Sequence, residues 1–280
     1  MNVPIERTSL QQSLVTWWVI LKISLEERLV YRGDFILGTM MRFLPIITQI
    51  FLWNAVFASA ISESIKGYRF KDVVAYYLLT MLVRAFSSMP GLASGIATQI
   101  RNGEIKKFLI QPVDLLGFLL LGRVAHKLAY YSVATIPFLI VFYMCRGFFS
   151  GWPEPQVLVA FILTLGMAFL LGFVLESCIG LIGFWFLEVS SLLFVYMLLS
   201  FFLSGHMFPL DLLPSPWDSI VNFLPLKYLA YFPSAVLLGK IPQEALMREL
   251  VIEATWIVAL YIASRVMWHF GVRRYSGFGG

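Results

Sequence analysis

Six long apolar runs constrain this chain more than any other feature: Phe35–Ala58, Val73–Thr98, Val124–Cys145, Val157–Cys178, Glu188–Ser204 and Met247–Phe270. A helix needs about 20 mainly apolar residues to cross a bilayer. Lipid offers the backbone no hydrogen-bond partners, so a crossing segment must satisfy its own peptide groups, as a helix does. The runs therefore predict an all-α polytopic membrane protein with six transmembrane helices. Composition agrees. Apolar residues make up 59% of the chain and charged residues 13%, against roughly 25% charged in an average soluble domain. The net charge of +5 is then a matter of topology, and nucleic acid is not an expected partner. The fifth run is short, and Trp185 and Phe186 are placed to flank it at the membrane interface.

Two segments do not fit the pattern of spans. Ser13–Gly33 holds an apolar stretch, Leu14–Leu21, too short to cross, followed by Lys22, Glu26, Glu27, Arg28 and Arg32 among aliphatic residues. With Trp17 and Trp18 it suits a helix lying in the headgroup plane; an amphipathic helix in water is the plainer alternative. Residues 1–34 are thus read as an N-terminal and interfacial region, and 35–280 as the membrane domain. Gly205–Pro242 collects Pro209, Pro214, Pro216, Pro225, Pro233 and Pro242. Proline removes a backbone donor and interrupts helices, so two short outer helices that dip in and return are expected here in place of a seventh crossing. Six crossings put both termini on one side. That side gathers Arg7, Lys22, Arg28, Arg32, Arg101, Lys106, Lys107, Arg123, Lys127, Arg273 and Arg274, and the positive-inside bias makes it cytoplasmic.

Catalytic and metal-binding patterns are missing from the sequence. His126, His206 and His269 show no metal-ligand spacing, and neither HExxH nor GxSxG occurs. Cys145 and Cys178 fall near opposite faces in the expected topology, too far apart for a disulfide. A phosphate loop requires G-x-x-x-x-G-K-[ST]. The one Gly-Lys pair, Gly239-Lys240, is followed by Ile241 and has Ser234 where the first glycine belongs. Charges at membrane depth are functional candidates: Arg42, Arg84 and Glu176. Arg42 and Glu176 are expected within bridging reach, and Arg84 has no evident carboxylate at its level; a packing role is the alternative for all three. Pro45, Pro90 and Pro137 are candidate kinks, and Gly91, Gly95, Gly166, Gly172, Gly180 and Gly183 candidate points of close helix approach.

Between the second and third runs lies RNGEIKKFLIQPVDLLGFLLLGR, Arg101–Arg123. Ile105, Phe108 and Leu109 recur at helical spacing, with Glu104, Lys106 and Lys107 turned elsewhere. Pro112 ends the pattern. Such a helix can dock into a partner's groove or lie on headgroups as a linker.

The order of these elements resembles the permease subunit of type-2 ATP-binding-cassette (ABC) transporters, mostly exporters. The match is carried by the N-terminal interfacial helix, by RNGEIKKFLIQPVDLLGFLLLGR, by LSGHMFPLDLLPSPWDSIVNFLPLKYLAYFPSAVLLG and by the ending RRYSGFGG. The resemblance implies an "elbow" helix over Ser13–Arg32 and a cytoplasmic coupling helix at about 101–113, with Glu104, Ile105, Lys106, Phe108 and Leu109 as ATPase-docking residues. It also implies paired outer re-entrant helices over about 205–242, marked by Pro209, Pro214, Pro225 and Pro233. Cytoplasmic ABC ATPase subunits that carry ATP and Mg, a second permease subunit and a place in the bacterial cytoplasmic membrane follow from the same resemblance. The chain itself would bind no cofactor or metal and be no enzyme. A secondary transporter is the alternative class, expected to show matched inverted halves with helices broken at midplane.

Overall fold

The structure, a computed structural model, describes residues 10–30, 32–59, 63–111, 113–149, 151–186 and 188–275. The expectations placed on Arg7, on Pro112 and on the ending beyond Tyr275 fall outside them. Eleven helices succeed one another among the described residues: α1 (Leu10–Val30), α2 (Arg32–Ser59), α3 (Phe70–Ser87), α4 (Leu92–Arg101), α5 (Lys106–Ile110), α6 (Leu115–Met144), α7 (Pro155–Leu181), α8 (Ser190–Leu203), α9 (Trp217–Phe223), α10 (Tyr231–Leu237) and α11 (Gln243–Arg274). A two-stranded hairpin, β1 (Ser64–Ile65) and β2 (Tyr68–Arg69), joins α2 to α3. Five stretches are long and apolar enough to cross a membrane: Phe35–Ser59, Phe70–Arg101, Leu115–Met144, Pro155–Phe184 and Gln243–Arg274. The fifth apolar run of the sequence gives α8, only 14 residues long.

The described residues divide into two compact units, one within Met1–Met41 and Lys106–Leu139, the other within Arg42–Ile105 and Ile140–Gly280. In the first, the start of α2 meets α6 through a small polar-aromatic cluster. Phe35 sets its edge against His126 at 5.4 Å and Tyr130 at 5.8 Å, and the Thr39 hydroxyl donates to Tyr130 at 3.1 Å. Asp114 begins α6: its carboxylate accepts the Gly117 N–H at 2.8 Å, the service an N-cap residue gives a helix start. A Cβ on Gly117 would stand 2.9 Å from the Trp17 ring, so α1 lies directly on this turn. The charges of α1 gather in its second half, Lys22 to Arg28, segregated along the axis more than around it.

In the second unit α7 is the hub, packed against α3, α4, α10 and α11. Close approach depends on glycine. A Cβ on Gly172 would sit 2.1 Å from the Ser87 carbonyl oxygen, and one on Gly180 2.8 Å from that of Ala93. Gly183 approaches Ala97 in the same way, whereas Gly95 and Gly166 face open space. The second apolar run is two helices and not one kinked helix, since α3 stops at Ser87 and α4 starts at Leu92. Pro90 lacks the N–H that continuation needs, and the break frees backbone groups at membrane depth. The N–H of Met89 finds the Glu176 carboxylate of α7 at 3.4 Å.

The proline-rich region forms α9 and α10 with 3-10 turns at Leu210–Leu212 and Pro225–Leu229. Everything from Pro225 to Val236 is buried, as irregular backbone at membrane depth must be. Pro225 opens its 3-10 turn and Pro233 lies in the first turn of α10, where a missing N–H is harmless. Pro209 precedes the Leu210–Leu212 turn, and the Pro214 carbonyl accepts from Trp217 as α9 begins. Gly205 takes φ +80°, and a Cβ there would stand 2.6 Å from both the Tyr76 hydroxyl and the Tyr231 Cβ, so it turns the chain from α8 into this region as only glycine can. The hairpin caps the same region: Tyr68 and Tyr231 both donate to Asp211, at 2.5 and 2.6 Å, and Lys66 donates to the Leu213 carbonyl at 2.7 Å. Burial first, then the Asp211 carboxylate, push both phenols well above the usual tyrosine range.

Candidate transport cavity and docking helix

A cavity of about 260 Å³ lies among α2, α3 and the end of α8. Ile46 of α2 packs on Val74 and Leu78 of α3, and this seam presents polar side chains of both helices to the space beside it. Arg42 and Gln49 come from α2, Thr80 and Arg84 from α3, and His206 from the turn after α8. The cavity wall at Tyr77 is fixed, because its hydroxyl accepts the Trp53 indole N–H at 3.0 Å and donates to the Met207 carbonyl. Thr80 is likewise committed, donating to the Tyr77 carbonyl at 2.9 Å. Two groups in the lining have no hydrogen-bond partner among the described residues, the Gln49 Oε1 and the His206 Nδ1. His206 packs its ring on Phe201 at 5.0 Å. Burial first, then the charges of Arg84 and Arg42, push its imidazole down from 6.5 to about 4.

The structure thus brings Arg42 and Arg84 to one cavity, a pairing the sequence reading did not draw. Glu176 does not line it. Arg84 lies within electrostatic reach of Glu176, Tyr196 and Arg42, which corrects the expectation that no carboxylate stood near its level. Helix depth along separate runs cannot register that α7 crosses α3 beside the Pro90 break. His206, Gln49 and Glu253 escaped the sequence reading. Glu253 is wholly buried in α11, with neither carboxylate oxygen partnered among the described residues. Its signal was present: an acid inside the last apolar run. His206 and Gln49 carry no such signal, since a neutral polar residue in an apolar run is common. No cluster of three or more His, Cys, Asp or Glu suited to a metal occurs among the described residues, and Cys145 and Cys178 are free thiols.

The docking segment resolves into α5, a helix of five residues. Ile105 is completely buried and Phe108 nearly so, with the Phe108 ring against Phe118 at 5.4 Å. These two of the three stripe residues serve the chain's own packing. Glu104, Lys106 and Lys107 are exposed, and the apolar surface left open is Leu109, 45% exposed, and Ile110, 84% exposed. The seam of an amphipathic helix says which residues share a face, not which body covers it.

A largely helical chain with five helices of spanning length and composition is a multi-pass membrane protein, and a cationic cavity amid those helices suits transport. Residues 43–279 match the family described as ABC-2 family transporter protein. The chain belongs to that family: it is an ABC transporter permease, and membership implies association with ABC ATPase subunits. No curated protein matches it by sequence.

Proposed function

We propose that this permease exports its substrate across the bacterial cytoplasmic membrane, driven by a separate ATPase subunit that binds ATP and Mg on the cytoplasmic side. The observation that carries the reading is the family match over residues 43–279 in a chain whose sequence holds no phosphate loop. In this reading α8 is the fifth of six crossings. Its 14 residues rise only ~21 Å at ~1.5 Å each, short of the ~30 Å hydrocarbon layer. Its exposed Phe194, Met197 and Leu198 suit lipid or a second permease subunit, and the segments at either end complete the depth. Both termini are then cytoplasmic, α1 is the elbow helix and α5 the coupling helix. The α9–α10 pair is the outer re-entrant element. A single chain supplies half a pathway, so two permease subunits assemble with two ATPase subunits.

Co-purification with the cognate ATPase, followed by measurement of stoichiometry and ATP turnover, tests the assembly. ATP hydrolysis by this chain alone overturns it. Cysteines introduced at Ser64 and Ser215, both exposed, should label from outside the cell, and one at Asn102 should not. Outside labelling at Asn102 refutes the topology.

A further inference from the structure

Glu253 is an acid where the packing provides for none. It stands on α11, about 15 Å along the helix from its start at Gln243, at ~1.5 Å per residue, inside a stretch of spanning length and composition. Leu246, Leu250, Ile257 and Leu260 share its face by helical spacing, and all four pack on the cluster that includes Leu171 of α7, Tyr228, Leu229 and Phe232. Glu253 interrupts this apolar stripe. It is wholly buried, and both carboxylate oxygens lack a hydrogen-bond partner among the described residues. The charged and titratable groups on the elements around it are engaged elsewhere. The 3-10 turn Pro225–Leu229 brings Lys227 and Tyr228, and both serve Glu249 Oε2, at 2.7 and 2.8 Å; Tyr228 also lies within electrostatic reach of Glu253. On α7, Glu176 accepts the Met89 N–H at 3.4 Å and Cys178 donates to the Leu260 carbonyl at 3.4 Å. Tyr231 of α10 donates to Asp211 at 2.6 Å, and Asp218 of α9 accepts the Ser219 N–H at 2.7 Å. On α11 itself Arg248 reaches Glu249 at 3.5 Å. Glu249 precedes Glu253 by four residues, a spacing at which like charges repel.

We propose that Glu253 is a proton-binding site of the membrane domain: its carboxyl takes up one proton when α11 packs on α7 and the 3-10 turn, and releases it when that packing opens to water. An ionised carboxylate in apolar surroundings is among the costliest groups a fold can hold, and without a partner it escapes the cost by taking a proton. The one ammonium in the cluster, Lys227, is matched by Glu249, so an ionised Glu253 would add a second negative charge against a single positive one. A protonated Glu253 leaves the Lys227–Glu249 pair balanced. Loss of the proton and separation of α11 from its neighbours are then linked, and any movement that hydrates Glu253 discharges a proton.

The test reads the carboxyl directly, on the full chain in phosphatidylcholine nanodiscs at pH ~8, well above the ordinary glutamate value of about 4.3. Infrared spectra should show a carboxylic-acid carbonyl band that shifts on isotope labelling of the glutamate carboxyls and on exchange into heavy water. This band should vanish in Glu253→Gln and in Glu253→Leu. Denaturant titration gives a second reading. The unfolded chain gives up this proton above pH ~4.3 and the packed chain keeps it, so the contribution to stability is complete below that value and is lost as pH rises. The parent's unfolding constant should therefore rise about tenfold per pH unit relative to that of Glu253→Gln, until the packed carboxyl itself ionises. A labelled parent with no acid band overturns the proposal without any variant having to fold. An acid band that survives intact in both variants overturns it too, as does a ratio of parent to Glu253→Gln unfolding constants that is the same at pH ~6 and pH ~8.

Discussion

Removal of the Glu249 carboxylate should unfasten the proline-rich region from α11. Lys227, in the 3-10 turn before α10, has a side chain only 6% exposed, and its Nζ lies 2.7 Å from Glu249 Oε2. The same oxygen accepts the Tyr228 hydroxyl at 2.8 Å. Without it the ammonium keeps, among the described residues, the Asn222 Oδ1 at 3.5 Å and the face of Tyr228 at 4.9 Å. Breaking one side of a buried pair strands the other charge and costs about 3–5 kcal/mol. The Arg248 contact to Glu249, from a side chain 73% exposed, adds at most ~1 kcal/mol. Glu249→Ala should therefore lower the thermal midpoint by on the order of 10 °C in nanodiscs, read by intrinsic fluorescence. Replacing both partners, Lys227→Met with Glu249→Leu, removes the stranded charge and should recover most of the loss, leaving about 1–3 kcal/mol for the buried Tyr228 hydroxyl that also loses its acceptor. A double variant as damaged as Glu249→Ala, or a Glu249→Ala variant as stable as the parent, refutes the assignment of this pair as a buried charge clamp.

Three further expectations follow from the packing and the surface. Gly172→Ala should destabilise by about 1–3 kcal/mol, because its Cβ meets the Ser87 carbonyl at 2.1 Å; Gly166→Ala, facing open space, should be neutral or gain up to ~1 kcal/mol from helix propensity, both read by thermal unfolding. Leu109→Asp with Ile110→Asp should abolish ATPase co-purification at unchanged thermal stability, an exposed anchor being worth about 2 kcal/mol, whereas Phe108→Asp should lower stability because its ring is buried against Phe118; a bound ATPase in the double variant makes α5 a linker. His206, with its pKa lowered from 6.5 to about 4, binds its proton more readily in the unfolded chain. Its neutral form therefore contributes stability that is complete above pH 6.5 and lost as pH falls towards 4, a loss of ~3 kcal/mol at ~1.4 kcal/mol per pKa unit; His206→Gln should flatten that part of the stability profile, and an unchanged profile removes His206 as its cause.

Particular elements separate what was legible in the residues from what was not. The long apolar runs near Phe35, Val124, Val157 and Met247 became α2, α6, α7 and α11, because the length needed to cross a bilayer and the apolar content of a spanning helix are both local quantities. The short helices α9 and α10 were legible for the same reason, since a proline acts on its own turn. Pro90 was legible as a disturbance but not as a full break, because whether a helix kinks or stops depends on partners for the freed backbone groups, and Glu176 of α7 is 87 residues away from Met89 in the chain. Of the glycines, only the close neighbours met by Gly172, Gly180 and Gly183 distinguish them from Gly95 and Gly166.

By itself the sequence determined the class of the protein: helical, multi-pass, and without a nucleotide-binding loop in its 280 residues. Those properties are set by hydrophobic content along short stretches and by motif spacing, which hold whatever the helices pack against. Only the tertiary structure decided that Arg42, Arg84 and His206 share one cavity, that Ile105 and Phe108 are buried while Leu109 and Ile110 stay open, and that Lys227 pairs with Glu249. Each depends on the rotation of a helix about its axis and on which neighbour covers which face. An apolar span in lipid leaves both open, because its outer surface is hydrophobic all round and marks no side as inward.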